Sequence, residues 1–157
     1  MHSAGAGAEE SAWTLGELEV RTLRLVVAGV PDKAVANCLG VSHRTVQRRI
    51  RDLMERTDAR NRMQLGRRAA QAGIQARRTA PTRPGNPTPD NPTADRPDED
   101  SVRLLWLLLT DASWTAASDA LGMSRRSAER RLQDLMTMAG ATSRAQLGWY
   151  ATRHEWI

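Results

Sequence analysis

Apolar residues recur at every third or fourth position through most of this chain, and nothing in it reads as strand; the pattern predicts an all-α protein. In "LGELEVRTLRLVVAG", Leu15, Leu18, Thr22, Leu25 and Val26 fall near one face and Gly29 ends the helix. "PDKAVANCLG" has Pro31 at a first-turn position and stops at Gly40. Ser42 is a natural N-cap for "HRTVQRRIRDLMERT", where Val46, Ile50, Leu53 and Met54 share a face and Arg44, Gln47, Arg48 and Arg51 the opposite one. A fourth helix, "NRMQLGRRAAQAG", is capped by Asn61.

The pattern is then written again. At an offset of 82, half of the 28 positions from Leu39 to Gly66 recur identically, among them Gly40/Gly122, Ser42/Ser124, Arg48/Arg130, Arg62/Arg144, Gln64/Gln146 and Gly66/Gly148. Upstream the letters diverge, but Leu23, Leu25, Val26 and Val27 still stand opposite Leu105, Leu107, Leu108 and Leu109. A duplicated unit of this size predicts two small helical domains of three or four helices each. We expect a tail at 1–12, a first unit at 13–76, a linker at 77–97 and a second unit at 98–157. Six of the seven prolines fall in "RRTAPTRPGNPTPDNPTADRPDED", which blocks regular structure. A connector of that length averages roughly 27 Å end to end when flexible.

Charge sharpens the picture. The chain carries +5, and residues 1–78 hold 14 basic against 8 acidic groups, whereas residues 79–100 are net acidic. Positive charge on the repeats suits a polyanion such as nucleic acid. All basic residues but Lys33 are arginine, which suits bidentate contacts to phosphate or guanine. With the abundant alanine, this composition hints at a GC-rich bacterial genome. Cys38, the sole cysteine, allows no intrachain disulfide and is expected as a buried structural thiol in a reducing cytoplasm. "VRLLWLLLTDASW" is too short to span a membrane and is expected as a buried helix, and the N-terminus lacks a signal-peptide pattern. His2, His43 and His154 have no metal-ligand spacing, and no glycine-rich phosphate loop precedes a helix. The expectation is a cytoplasmic, nucleoid-associated protein with no enzymatic activity, metal or cofactor.

Two short helices, a tight glycine turn and a basic outer face on the second helix make a helix-turn-helix. Small Ala36 permits close approach, Gly40 tolerates a left-handed turn, and Val41 and Val46 plug the angle. On these residues, together with Leu15–Glu19, Leu23–Gly29, Lys33–Ala36, "LGVSHRTV" and "RNRMQL", the first unit resembles the LuxR-type (GerE-like) DNA-binding domain of bacterial transcription regulators. The second unit resembles it through "ALGMSRRSAERRL" and "TSRAQL".

The resemblance implies four helices, the third in the major groove of double-stranded DNA and the fourth often at a symmetric dimer contact. Carried over by position, the base readers are Gln47, Arg48 and Arg51, and Glu129, Arg130 and Gln133 in the second unit. Ser42, His43, Arg44, Thr45 and Arg62 would face phosphates, as would Ser124, Arg125, Arg126, Ser127 and Arg144. Departures stand at Arg49 and Arg131, where the family often has histidine, and at Thr57-Asp58 and Ala139-Gly140, where it often has Leu-Gly. The second unit also has Thr115 for the helix-two lysine and Ala128 for the core valine. A glutamate at 129 could accept from a cytosine amino group, yet it repels phosphates. Twelve residues before the first unit leave room for no sensory domain, so no obvious input is expected.

The duplication suggests a single-chain pseudo-dimer on inverted half-sites about 34 Å apart, its fourth helices packed together. Trp149, Tyr150 and Trp156 in the last helix fit either that contact or a local core. The alternatives are a homodimer whose second units only dimerise or bind a partner, and an adaptor or sigma-like factor contacting RNA polymerase.

Overall fold

A computed structural model of the chain describes residues 14–76, 96–110 and 112–157. The expected tail, Trp13 and positions 77–95 of the expected linker lie outside the described residues. Among the described residues there are eight α-helices and no strand, as the periodicity predicts. They are α1 (Glu17–Val27), α2 (Asp32–Leu39), α3 (His43–Arg56), α4 (Arg62–Gln71), α5 (Glu99–Thr110), α6 (Trp114–Ala120), α7 (Arg125–Met138) and α8 (Arg144–Arg153).

The boundaries follow local chemistry. Ser42 Oγ accepts the Thr45 N–H at 3.1 Å, and Asn61 Oδ1 accepts that of Gln64 at 2.9 Å. Ser113, Ser124 and Ser143 do the same for Ala116, Ser127 and Gln146, each at 3.1 Å. Each bond satisfies an N–H that the first helical turn leaves without an intrahelical partner. Pro31 stands one position earlier than its sequence suggests, as the extended residue just before α2. Asp58 takes a left-handed φ of 51° at the end of α3, and Gly140 takes 60° at the matching point after α7.

Three sequence expectations about burial are corrected. Leu18 is 42% exposed, because α1 turns Thr22, Leu23, Leu25, Val26 and Val27 inward and leaves its first turn outside. Cys38 is exposed: α2 buries Val35 and Ala36, and the thiol lies off that stripe. In α5, Leu104, Leu105, Leu108 and Leu109 are buried, but Trp106 is 52% exposed; a continuous apolar run on a helix cannot direct every residue to one side. Among the described residues no helix is long and apolar enough to cross a membrane.

The most extensive helix–helix contact is between α4 and α8. They cross where both lack a side chain. A Cβ built on Gly66 would collide with the Ala145 carbonyl, and one on Gly148 with the Met63 carbonyl. Residue for residue these two collisions are equivalent under the 82-position offset, so the crossing is reciprocal. Around it, side chains of each half satisfy carbonyls at the end of the other half's first helix. Gln64 Nε2 donates to Leu108 O at 3.3 Å and Arg67 to Leu109 O at 3.1 Å. Gln146 Nε2 donates to Ala28 O at 3.2 Å and Thr142 Oγ1 to Gly29 O at 3.1 Å. Those carbonyls are among the acceptors a helix C-terminus leaves open, which explains why two glutamines, each 5% exposed, are tolerated inside. Trp149 reaches from α8 to donate its indole N–H to Ile74 O at 2.7 Å, while Tyr150 stays in the local core, stacked on His154 and edge-on to Trp156. The aromatic cluster thus serves both local core and crossing.

Gly148→Ala tests this contact with opposing signs. Helix propensity alone would stabilise by about 1 kcal/mol. Overpacking against the Met63 backbone should instead make the change destabilising by about 1–3 kcal/mol net. Urea denaturation followed by circular dichroism reads the sign; a stabilised variant would refute the close crossing.

Candidate nucleic-acid interface

The turn between α2 and α3 needs a backbone that doubles back within two residues. Gly40 supplies it at φ 65°, and the Val41 N–H returns to Ala36 O at 3.0 Å. Ala36 is 3% exposed and Val46 fully buried, so the two helices meet on small and β-branched side chains. With Ile50 and Leu53 also buried, the inner face of α3 is set, and the polar residues between them must point outward. His43, Arg44, Gln47, Arg48 and Arg51 are all exposed. In α7, Ala128, Leu132 and Leu135 form the buried face, and Arg125, Arg126, Ser127, Glu129, Arg130 and Gln133 are exposed. Ser42, Ser124 and Arg144 are exposed too; of the sixteen residues singled out from sequence, only Thr45 and Arg62 are half-buried.

Exposure does not make them equivalent. Ser42 and Ser124 spend their hydroxyls on capping and on Thr45 Oγ1 and Ser127 Oγ, at 2.8 and 2.9 Å. Arg62 is held by Asp32 in a two-pronged pair, Nη1 to Oδ1 at 2.7 Å and Nη2 to Oδ2 at 2.5 Å. It is therefore half of a neutral pair that braces the start of α4 against the start of α2. The hydrogen bonds from Arg62 hold the Asp32 carboxyl below its ordinary range. At the equivalent point of the second half the acid is replaced by Trp114, and the Arg144 guanidinium lies over that ring, 5.3 Å from its centre.

Sequence reasoning did not single out Asp32 or Trp114 for these roles. A partner 30 residues away leaves no local signal, although both sit at one repeat position and could be compared there. It also passed over the Arg125–Glu129 pair, Nε to Oε1 at 3.0 Å, which i,i+4 spacing would have disclosed. Arg131 is tied to Asp98 at 2.8 Å, whereas the matching Arg49 is half-buried with Nη1 lacking an acceptor among the described residues.

Because the Asp32 pKa is depressed in the folded state, its contribution is present above the unfolded value of about 3.9 and disappears as pH falls through the folded one. Asp32→Asn should therefore lower the urea midpoint at pH 6, and the gap between variant and parent should narrow as pH falls below the ordinary carboxylate range. A gap that does not change with pH would refute the pair as its source.

The first half is similar to a known family. Residues 14–69 match the GerE family, bacterial regulatory proteins of the luxR family. A Bialaphos biosynthetic pathway regulatory protein from Streptomyces hygroscopicus is 43% identical over 60 residues, which are 38% of this chain and 23% of that protein. The chain thus aligns with under a quarter of that relative's length. No solved structure matches it significantly. The match falls on α1 to α4 and the turn between α2 and α3, so residues 14–69 are similar to the luxR family over all four helices of the first half.

Proposed function

We propose that this protein is a sequence-specific DNA-binding transcription regulator whose α3 enters the major groove and whose α7 reads a second half-site. The observation that carries this reading is the exposed set His43, Arg44, Gln47, Arg48 and Arg51 on the outer face of the second helix of a LuxR-type helix-turn-helix. Residues 13–76 and 98–157 act as two tandem units joined by 77–97, and the α4–α8 crossing holds them as a single-chain pseudo-dimer. Gln47, Arg48 and Arg51, with Glu129, Arg130 and Gln133, face base edges. His43, Arg44 and Thr45, with Arg125, Arg126 and Arg144, face phosphates; Ser42, Ser124 and Ser127 orient the helix starts beside them, and Arg62 contributes as the Asp32-paired brace. Similarity to a regulatory protein of one biosynthetic pathway in Streptomyces supports a pathway-specific role, exerted on nucleoid DNA in a bacterial cytoplasm.

The test is selection of genomic fragments by the purified chain, followed by footprinting of the tightest one. Two unequal protected half-sites filled by one chain are expected. Symmetric half-sites filled by two chains would make the second unit a dimerisation module, and no selective protection would favour the RNA polymerase adaptor. On the selected site, Arg48→Ala should cost about 1–3 kcal/mol while leaving random DNA nearly unaffected. Equal losses on both would remove Arg48 from the reading face.

A further inference from the structure

The two exposed faces differ in chemistry at a repeat position one turn into each helix. In α3 that position holds Gln47, with His43 one turn before it; in α7 it holds Glu129, bonded to Arg125 one turn before it. Gln carries both a donor and an acceptor, whereas an ionised Glu accepts only. The major groove separates these capabilities. Adenine offers N6–H beside the acceptor N7, which a side-chain amide matches with two bonds. To a carboxylate, guanine and thymine present only acceptors, and adenine sets N7 against it; cytosine offers the N4 amino group without an adjacent acceptor.

A bare carboxylate at this place would also be pushed away by the phosphates. The Arg125 guanidinium answers that: it lies on the N-terminal side of Glu129, bonds one oxygen and offsets its charge. Being 78% exposed itself, Arg125 keeps its remaining N–H groups available on the outer side. An exposed i,i+4 pair of this kind contributes little to folding, so its consequence is orientation of the carboxylate.

We propose that Glu129, positioned by Arg125, selects cytosine in the second half-site where Gln47 selects adenine in the first, so that the operator is asymmetric at this symmetry-related base pair. The inference rests on the DNA-binding reading above. Its test uses the full chain and the selected operator, with every base pair of both half-sites varied in turn. The parent should prefer cytosine by about tenfold at one position of one half-site. Glu129→Gln should move that preference to adenine. Arg125→Ala should shrink the cytosine preference more than it lowers affinity for random DNA, and Arg125→Lys should restore part of it. Selective binding whose base preference is unchanged by Glu129→Gln, or half-sites that select the same base at the matched pair, would overturn this inference alone. Failure of the parent to bind any DNA selectively would overturn the preceding reading and this one with it.

Discussion

The structure depends on two helices meeting at their backbones. Gly66 and Gly148 lie where α4 and α8 cross, and each faces the main chain of the other helix, Ala145 in one case and Met63 in the other. No side chain fits there. The close approach also brings Gln64 and Gln146 within reach of the last carbonyls of α5 and α1, so a van der Waals crossing and a set of buried hydrogen bonds are one constraint. Buried apolar residues of both halves then form one continuous core. The placement of α3 relative to α7 follows from it, since α3 packs on α1 and α7 on α5, the helices that the glutamines hold.

Around that crossing, equivalent positions keep their geometric role while changing their chemistry. The arginine opening α4 is braced by a carboxylate, and the one opening α8 by an indole face. In the first half Arg56, near the end of α3, reaches Glu19 and the Thr14 carbonyl. In the second, Arg131, further back on α7, reaches Asp98 and Ser101 instead. Val46 and Ala128 are both completely buried although they differ by two methyl groups. A duplicated fold held by several such contacts can lose any one identity provided the replacement fills the same space or satisfies the same charge.

This also explains what could be read from sequence. Helix type, the Ser42 and Asn61 caps, the Gly40 turn and the inner face of α3 are determined within four residues of each position, and each was legible there. The packing of α4 on α8 was expected from the duplication together with the dimer contact of the fourth helix that the family resemblance implies. What was not legible depends on distant partners or on the rim of a helix face. Asp32 finds Arg62 across 30 residues, Trp149 finds the Ile74 carbonyl across 75, and Cys38 and Leu18 lie beside buried stripes. Periodicity gives the direction of a stripe and says little about its width.

The proposed asymmetry in reading follows from where identity was retained. The centre of the crossing is shared between halves at Gln64/Gln146, Leu65/Leu147 and Gly66/Gly148, whereas Met63/Ala145 and Arg67/Trp149 beside it differ. Residues that point outward from α3 and α7 are shared less: His43 stands against Arg125, Gln47 against Glu129 and Arg51 against Gln133. The frame at the crossing keeps its glycines because each faces the main chain of the other helix, and its glutamines because each satisfies carbonyls at the end of the other half's first helix. An outer face meets only what binds there and is free to diverge from its copy. On the proposed reading, two faces that differ at Gln47/Glu129 and Arg51/Gln133 suit a target whose halves differ, and a covalent connection would bring the unlike faces to it as a pair.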